Sequence, residues 1–168
     1  MDFKKVLNCE FDEIYSLMEE SFPIYERRSY QEAKAVLSDD DYALYHIEDG
    51  GQKIGFISVW QLDGFCFIEH FAIAPIYRNS GYGAKALDLA KSQFKTLVLE
   101  AEPNINQIAT RRLAFYKRNG FCENLFEYWQ PAYRKGEEDV RLVLLSYPCL
   151  VENEEKVVKE IYKKVYGR

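Results

Sequence analysis

The stretch from Glu69 to Ala84, EHFAIAPIYRNSGYGA, limits the folds open to this chain more than any other. The apolar run Phe65 to Ala74 reads as a strand and stops at Pro75. A short polar link leads to Gly81 and Gly83, and a helical stretch then runs to Phe94 with no strong breaker. A strand that feeds a glycine-bearing turn into a helix N-terminus makes an anion cradle. The first-turn N–H groups lack intrahelical acceptors, and the helix dipole favours negative charge. Glycine removes the Cβ that would keep backbone and ligand apart. Arg78 adds a fixed positive charge with a planar fork suited to phosphate. The ligand chemistry this stretch fits is a diphosphate.

Two common phosphate fingerprints fail here. A P-loop needs Lys followed by Ser or Thr after its second Gly, and the chain offers Ala84-Lys85-Ala86. The dinucleotide pattern G-x-G-x-x-G ends in Ala86, and its acidic partner about 20 residues on is Glu100 or Glu102.

The length of 168 residues predicts one domain, 1–168, large enough to bury a sizeable core. With 48% hydrophobic and 15% aromatic residues the chain is a folded globule. A net charge of −5 without a basic stripe argues against a nucleic-acid partner and suits a cationic or amine substrate. Cys9, Cys66, Cys122 and Cys149 are scattered with no C-x-x-C, and His46 and His70 are the only histidines, so neither a disulfide framework nor a metal site is expected. The start, MDFKKVLNCE, has no apolar core, and no run nears 18 apolar residues. The expectation is a cytoplasmic protein with no membrane partner.

Taken in order, Asp2 to Leu7 reads as a strand and Asn8 as a helix N-cap. Phe11, Ile14, Tyr15 and Met18 form the buried stripe of a first helix, and Tyr25 to Leu37 reads as a second. Tyr42–Glu48, Lys53–Leu62 and Phe65–Ala74 read as an antiparallel meander joined by Asp-Gly turns. A helix from Gly83 to Phe94 and a strand from Thr96 to Ala101 then make a crossover to a parallel neighbour. A further helix from about Ala109 stops at Asn119-Gly120, and Phe121–Trp129 and Val140–Ser146 read as closing strands. Val158, Ile161, Tyr162 and Val165 mark an amphipathic helical appendage over about 151–166, packed on the core or on another copy. The class is α/β, a mixed sheet with helices.

Arg78-Asn79-Ser80-Gly81-Tyr82-Gly83, directly after a strand ending at Pro75, resembles the acyl-CoA motif [RQ]-x-x-G-x-[GA] of the GNAT (GCN5-related N-acetyltransferase) superfamily. Phe115-Tyr116-Lys117-Arg118-Asn119-Gly120-Phe121 is similar to its F-Y-x-x-x-G-F segment. The element order, β-α-α-β-β-β-α-β-α-β-β plus a C-terminal helix, matches that fold over about 2–147. One departure stands out: the Asn and Ala often found seven and four residues before the motif Tyr are Ala109 and Arg112 here.

The resemblance implies an acetyl-CoA-dependent N-acetyltransferase acting directly on a primary amine of a small molecule or peptide, with no metal, as monomer or homodimer. It puts pantetheine beside Phe71, Ala72 and Ile73, and the pyrophosphate on Arg78, Asn79, Ser80, Gly81, Tyr82, Gly83 and Ala84. It makes Glu69 the base or amine-binding anion and Tyr116 the proton donor to the departing thiolate. By strand alternation Glu69 shares a face with Phe71 and Ile73 and opposes His70, and apolar neighbours would raise its pKa. A phenol of pKa about 10 suits a thiol of about 8.5. The segment 22–28 is a candidate acceptor-side wall, though a hydrophobic staple explains its aromatics equally well; the loop Gln130-Pro131-Ala132-Tyr133-Arg134 is another candidate, and Glu100 and Glu102 line the cleft or equally the surface. Arg111-Arg112 reads either as a contact to the cofactor's 3′-phosphate or as a solvated face. The rival reading is a CoA-binding sensor or scaffold without catalysis.

Overall fold

The structure is a computed structural model describing residues 1–134 and 136–168. Its sheet is built from β1 (Asp2–Lys5), β2 (Tyr42–Asp49), β3 (Gln52–Leu62), β4 (Phe65–Ile73), β5 (Leu97–Ala101), β6 (Cys122–Glu123), β7 (Tyr128–Gln130) and β8 (Val140–Tyr147). The strand order is β1-β2-β3-β4-β5-β8-β6, with β7 also on β8, and among the described residues only the β4–β5 pair is parallel. The helices are α1 (Phe11–Ser21), α2 (Tyr30–Ala35), α3 (Tyr82–Phe94), α4 (Gln107–Arg118) and α5 (Glu154–Val165). This is the mixed α/β architecture the element order predicts.

Two apolar layers sandwich the sheet. On one face Phe11, Ile14, Tyr15 and Met18 of α1 pack with Phe56, Trp60 and Phe67 and with Ile161 and Val165 of α5. On the other, Ala86, Leu87 and Ala90 of α3 and Leu113 and Tyr116 of α4 pack with Ile57, Ile68, Ile73 and Leu99. Helix α5 therefore closes the first face of its own sheet.

Three expectations need correction. Asn8 is not an N-cap: the Glu10 carboxylate takes the Leu7 N–H at 3.1 Å, a 3-10 turn spans Asn8–Glu10, and α1 starts at Phe11. The expected helix over 25–37 breaks into a 3-10 turn at Ile24–Glu26, α2, and a second 3-10 turn at Val36–Ser38. Ser29 caps α2, and the Glu32 carboxylate returns to the Ser29 N–H at 3.0 Å, which fixes the start at Tyr30. The strand expected over 121–129 is two short pieces, Cys122–Glu123 and Tyr128–Gln130, and Asn124 ends the first with a backbone N–H bond to the Leu144 carbonyl of β8 at 2.9 Å. Its side-chain amide donates to the Leu144 carbonyl and the Ser146 hydroxyl, and its side-chain oxygen accepts the Val151 N–H.

Gly55 on β3 is a close approach. A Cβ there would sit 2.2 Å from the Ala72 carbonyl oxygen, so the β3–β4 ladder has room for glycine alone. Among the described residues, no helix is long and apolar enough to cross a membrane.

Candidate active site

β4 and β5 pair only from Cys66–Ile68 to Leu97–Leu99. Beyond that point β5 continues on β8 while Glu69–Ile73 stay with β3, so the two central strands part. A cleft of about 740 Å³ opens between them. Ala74 donates its N–H to Ile54 on β3 at 2.9 Å. By alternation the backbone groups of Phe71 and Ile73 then face the cleft, while the Ala72 carbonyl lies against Gly55.

The strand is also bulged. Ile68 pairs with Val59 and His70 with Ser58, which leaves Glu69 as an extra residue. The bulge breaks the period-2 argument. Glu69 reaches Trp60 and His70 reaches Phe22, both on the α1 face, whereas Phe71 and Ile73 pack on the α3–α4 face. Glu69 thus shares a face with His70, not with Phe71 and Ile73 as strict alternation predicts.

At one end of the cleft the chain turns through a 3-10 turn at Pro75–Tyr77, then Asn79 (φ +62°) and Gly81 (φ +80°), into α3. The left-handed Gly81 makes the turn without a strained Cβ. Lys85 is the first residue to donate back into the helix, to Gly81, so the N–H groups of Tyr82, Gly83 and Ala84 have no acceptor among the described residues. Gly83 also lets α3 approach α4, since a Cβ there would lie 3.2 Å from Cζ of Phe115. Arg78, Asn79, Gly81, Gly83 and Ala84 line the cleft with Phe71, Ala72 and Ile73. Arg78 is partly committed, donating from Nε to the Ile73 carbonyl at 2.8 Å. Ser80 and Tyr82 sit in the same turn but not on the cleft wall; Tyr82 packs on Tyr77 at 6.0 Å.

The Tyr116 ring is buried on the cleft wall between Phe115 and Phe121. Its hydroxyl has no hydrogen-bond partner among the described residues yet is not sealed from the cleft. Burial pushes its pKa up to about 12, so it is a weaker acid than a free phenol.

The other end is acidic and aromatic. Glu69, 1% exposed, accepts from Arg28 Nε at 3.0 Å, Trp60 Nε1 at 2.8 Å and the Tyr133 hydroxyl at 2.8 Å. Burial alone would raise its pKa, but the Arg28 guanidinium and these donors bring it below the usual carboxylate range, contrary to the sequence expectation. Glu69 is a fixed anion with its lone pairs largely occupied.

Glu100 has the opposite character. Its two carboxylate oxygens accept one phenol each, from Tyr128 and, at 2.7 Å, from Tyr166. Burial outweighs those bonds and lifts its pKa to about 7. Glu26 is also raised, by burial and then by the negative charge of Glu102, while Glu102 pairs with Arg112 at 2.9 Å. His70 lies with Nε2 3.0 Å from the Glu26 carbonyl, and burial lowers its pKa, so the ring is neutral with an unpartnered Nδ1. Sequence reasoning had named Glu100, Tyr133 and the 22–28 segment only as candidate walls, and had no sign of Trp60 or Tyr166. Tyr166 lies 66 residues from Glu100, and no local pattern links them. Among the described residues no group of three or more His, Cys, Asp or Glu could hold a metal ion.

The sequence profile described as the Acetyltransferase (GNAT) family matches residues 11–121. A structure from Bacteroides thetaiotaomicron assigned to the GNAT acetyltransferases is 30% identical, with TM-score 0.95 over 100% of this chain and 99% of that one. Two others share the fold. The ribosomal-protein-S18-alanine N-acetyltransferase of Escherichia coli is 15% identical, with TM-score 0.64 over 92% of this chain and 97% of that one. An aminoglycoside 6'-N-acetyltransferase complexed with coenzyme A is 11% identical, with TM-score 0.59 over 91% and 100%. A search of curated protein sequences found no match.

Proposed function

The chain belongs to the GNAT acetyltransferase family, and from that premise we propose that it moves an acetyl group from acetyl-CoA directly to a primary amine of a small molecule or peptide. The observation that carries this reading is the parting of β4 and β5 beyond Ile68 and Leu99, which joins free helix N–H groups at one end of a cleft to unequal carboxylates at the other.

The residues present fit the donor. The N–H groups of Tyr82, Gly83 and Ala84 suit its pyrophosphate, with Arg78 and Asn79 beside them, and the cleft-facing backbone of Phe71 and the Ile73 N–H suit the amides of an extended pantetheine. Acetyl-CoA supplies a thioester carbonyl and a thiol leaving group.

Of the two buried carboxylates, Glu100 is the proton acceptor in this proposal. A carboxyl with pKa about 7 is half ionised at neutral pH and can take the ammonium proton, whereas Glu69 is held ionised by three donors and is a poor base. Glu69 is assigned the role of fixed anion that orients Arg28 and Tyr133 and favours a cationic amine nearby. The freed amine attacks the thioester carbonyl and the C–S bond breaks. Tyr116 meets the developing thiolate with its free hydroxyl. At pKa about 12 it is too weak an acid to protonate a thiolate fully, so it stabilises the leaving group by hydrogen bonding and the thiolate takes its proton from solvent on release.

The test couples calorimetric titration with acetyl-CoA, CoA and ATP to thiol release with a panel of primary amines. Binding of both thioester and thiol forms with amine-dependent thiol release is expected. Tight CoA binding without release on any amine would replace the enzyme with a non-catalytic CoA-binding module.

A further inference from the structure

The segment around the end of α5 lies beyond the family match at 11–121, yet it bonds to Glu100, which lines the cleft. The Val165 carbonyl accepts from Arg28 Nη2 at 2.5 Å, the arginine that also holds Glu69. The Tyr166 hydroxyl donates to Glu100 at 2.7 Å, and its ring packs on Tyr133 at 5.2 Å. Arg168 donates to the Ala132 carbonyl at 3.4 Å, and the Tyr162 hydroxyl donates to the Trp129 carbonyl. Four hydrogen bonds from residues 162–168 therefore tie this segment to β4 through Arg28, to β5 through Glu100, and to β7 and the loop after it.

We propose that Tyr166 is a positioning residue: through its hydrogen bond to one carboxylate oxygen, opposite Tyr128 on the other, it fixes the orientation and proton affinity of Glu100. This rests on the reading of Glu100 as proton acceptor. A phenol that donates to a carboxylate stabilises its charged form, so it pulls the pKa down against the upward push of burial. Two donors on a buried acid thus leave it ionisable near neutrality. The other charged or titratable groups facing Glu100 are Glu69 on β4, itself paired with Arg28, Glu26 on the 3-10 turn, Tyr133 on the loop after β7 and Tyr162 on α5. The two glutamates raise Glu100, so they cannot substitute for the missing donor when Tyr166 is changed.

The experiment follows the Glu100 carboxyl by carbon-13 NMR titration in the full chain, assigned with Glu100→Gln, and compares wild type with Tyr166→Phe. The expected result is an upward shift of about one unit in Tyr166→Phe, with thiol release from acetyl-CoA and an accepted amine of the panel losing its acidic limb at correspondingly higher pH. The KM for acetyl-CoA is expected to stay within about twofold. A fluorinated tyrosine at 166 keeps the ring and strengthens the donor, so it moves the Glu100 titration downward even if Tyr166→Phe folds poorly. A Glu100 titration unmoved by either change overturns the role of Tyr166 and leaves Glu100 as base intact. Wild-type turnover in Glu100→Gln instead removes the base, and the positioning role falls with it.

Discussion

At the proposed phosphate end of the cleft, the wall from Phe71 to Ala84 comes from one unbroken stretch and offers mostly backbone groups. The proposed acceptor end, lined by Glu26, Glu69, Glu100 and Tyr133 and backed by Arg28, Tyr128 and Tyr166, is drawn from segments far apart and works through side-chain charge. The difference has a physical consequence. Backbone N–H groups at a helix start tolerate most side-chain changes that keep the turn, whereas a buried carboxylate changes its chemistry when one neighbour is lost.

The largest effect is expected at the acceptor end. Glu100→Gln should lower kcat by about a thousandfold while acetyl-CoA affinity holds. Its pH signature follows from the sign of the shift: the ionised form is needed, so wild-type kcat should fall about tenfold per unit below about pH 7. Tyr116→Phe should cost about a hundredfold in kcat with little change in acetyl-CoA affinity; wild-type turnover would return the ring to a packing role.

Gly81→Asp tests the other end. A carboxylate facing the diphosphate, on a residue held at φ +80°, should weaken acetyl-CoA binding by at least about tenfold in calorimetry and leave the Glu100 titration where it was. If affinity is unchanged, the pyrophosphate lies elsewhere.

Glu69→Gln separates stability from chemistry. It leaves the largely buried Arg28 without its counter-charge, and about 3 kcal/mol of unfolding free energy should be lost. Because the folded Glu69 pKa is lowered, this contribution is complete above the ordinary carboxylate pKa and fades as pH falls towards the lowered one. The variant's Tm should therefore approach that of the wild type in acid. Ser80→Ala is the smallest case. Its side chain bonds only back to the Arg78 carbonyl, away from the cleft wall, so acetyl-CoA affinity should stay within about twofold.

The contrast also explains what could be read from the sequence. The glycine turn, the α1 stripe and the meander depend on spacing within a dozen residues, and they lie where the pattern puts them. Glu69 was visible as a residue but not in its state. One extra residue in β4 turns its side chain to the α1 face, where Arg28, Trp60 and Tyr133 reverse the expected pKa shift. Nothing in local periodicity announces a bulge. Tyr166 was invisible because its partner is reached only through the packing of α5 on the sheet. Asn106 caps α4 and Ser29-x-x-Glu32 boxes the start of α2, and neither was read as a cap from the sequence.

The backbone amide resonances of Tyr82, Gly83 and Ala84, followed during titration with CoA, report most directly on the phosphate cradle. Large shifts at these three, accompanied by Phe71 and Ile73 across the parted strands, are predicted. Saturation with CoA that leaves the three amides unmoved would contradict the account.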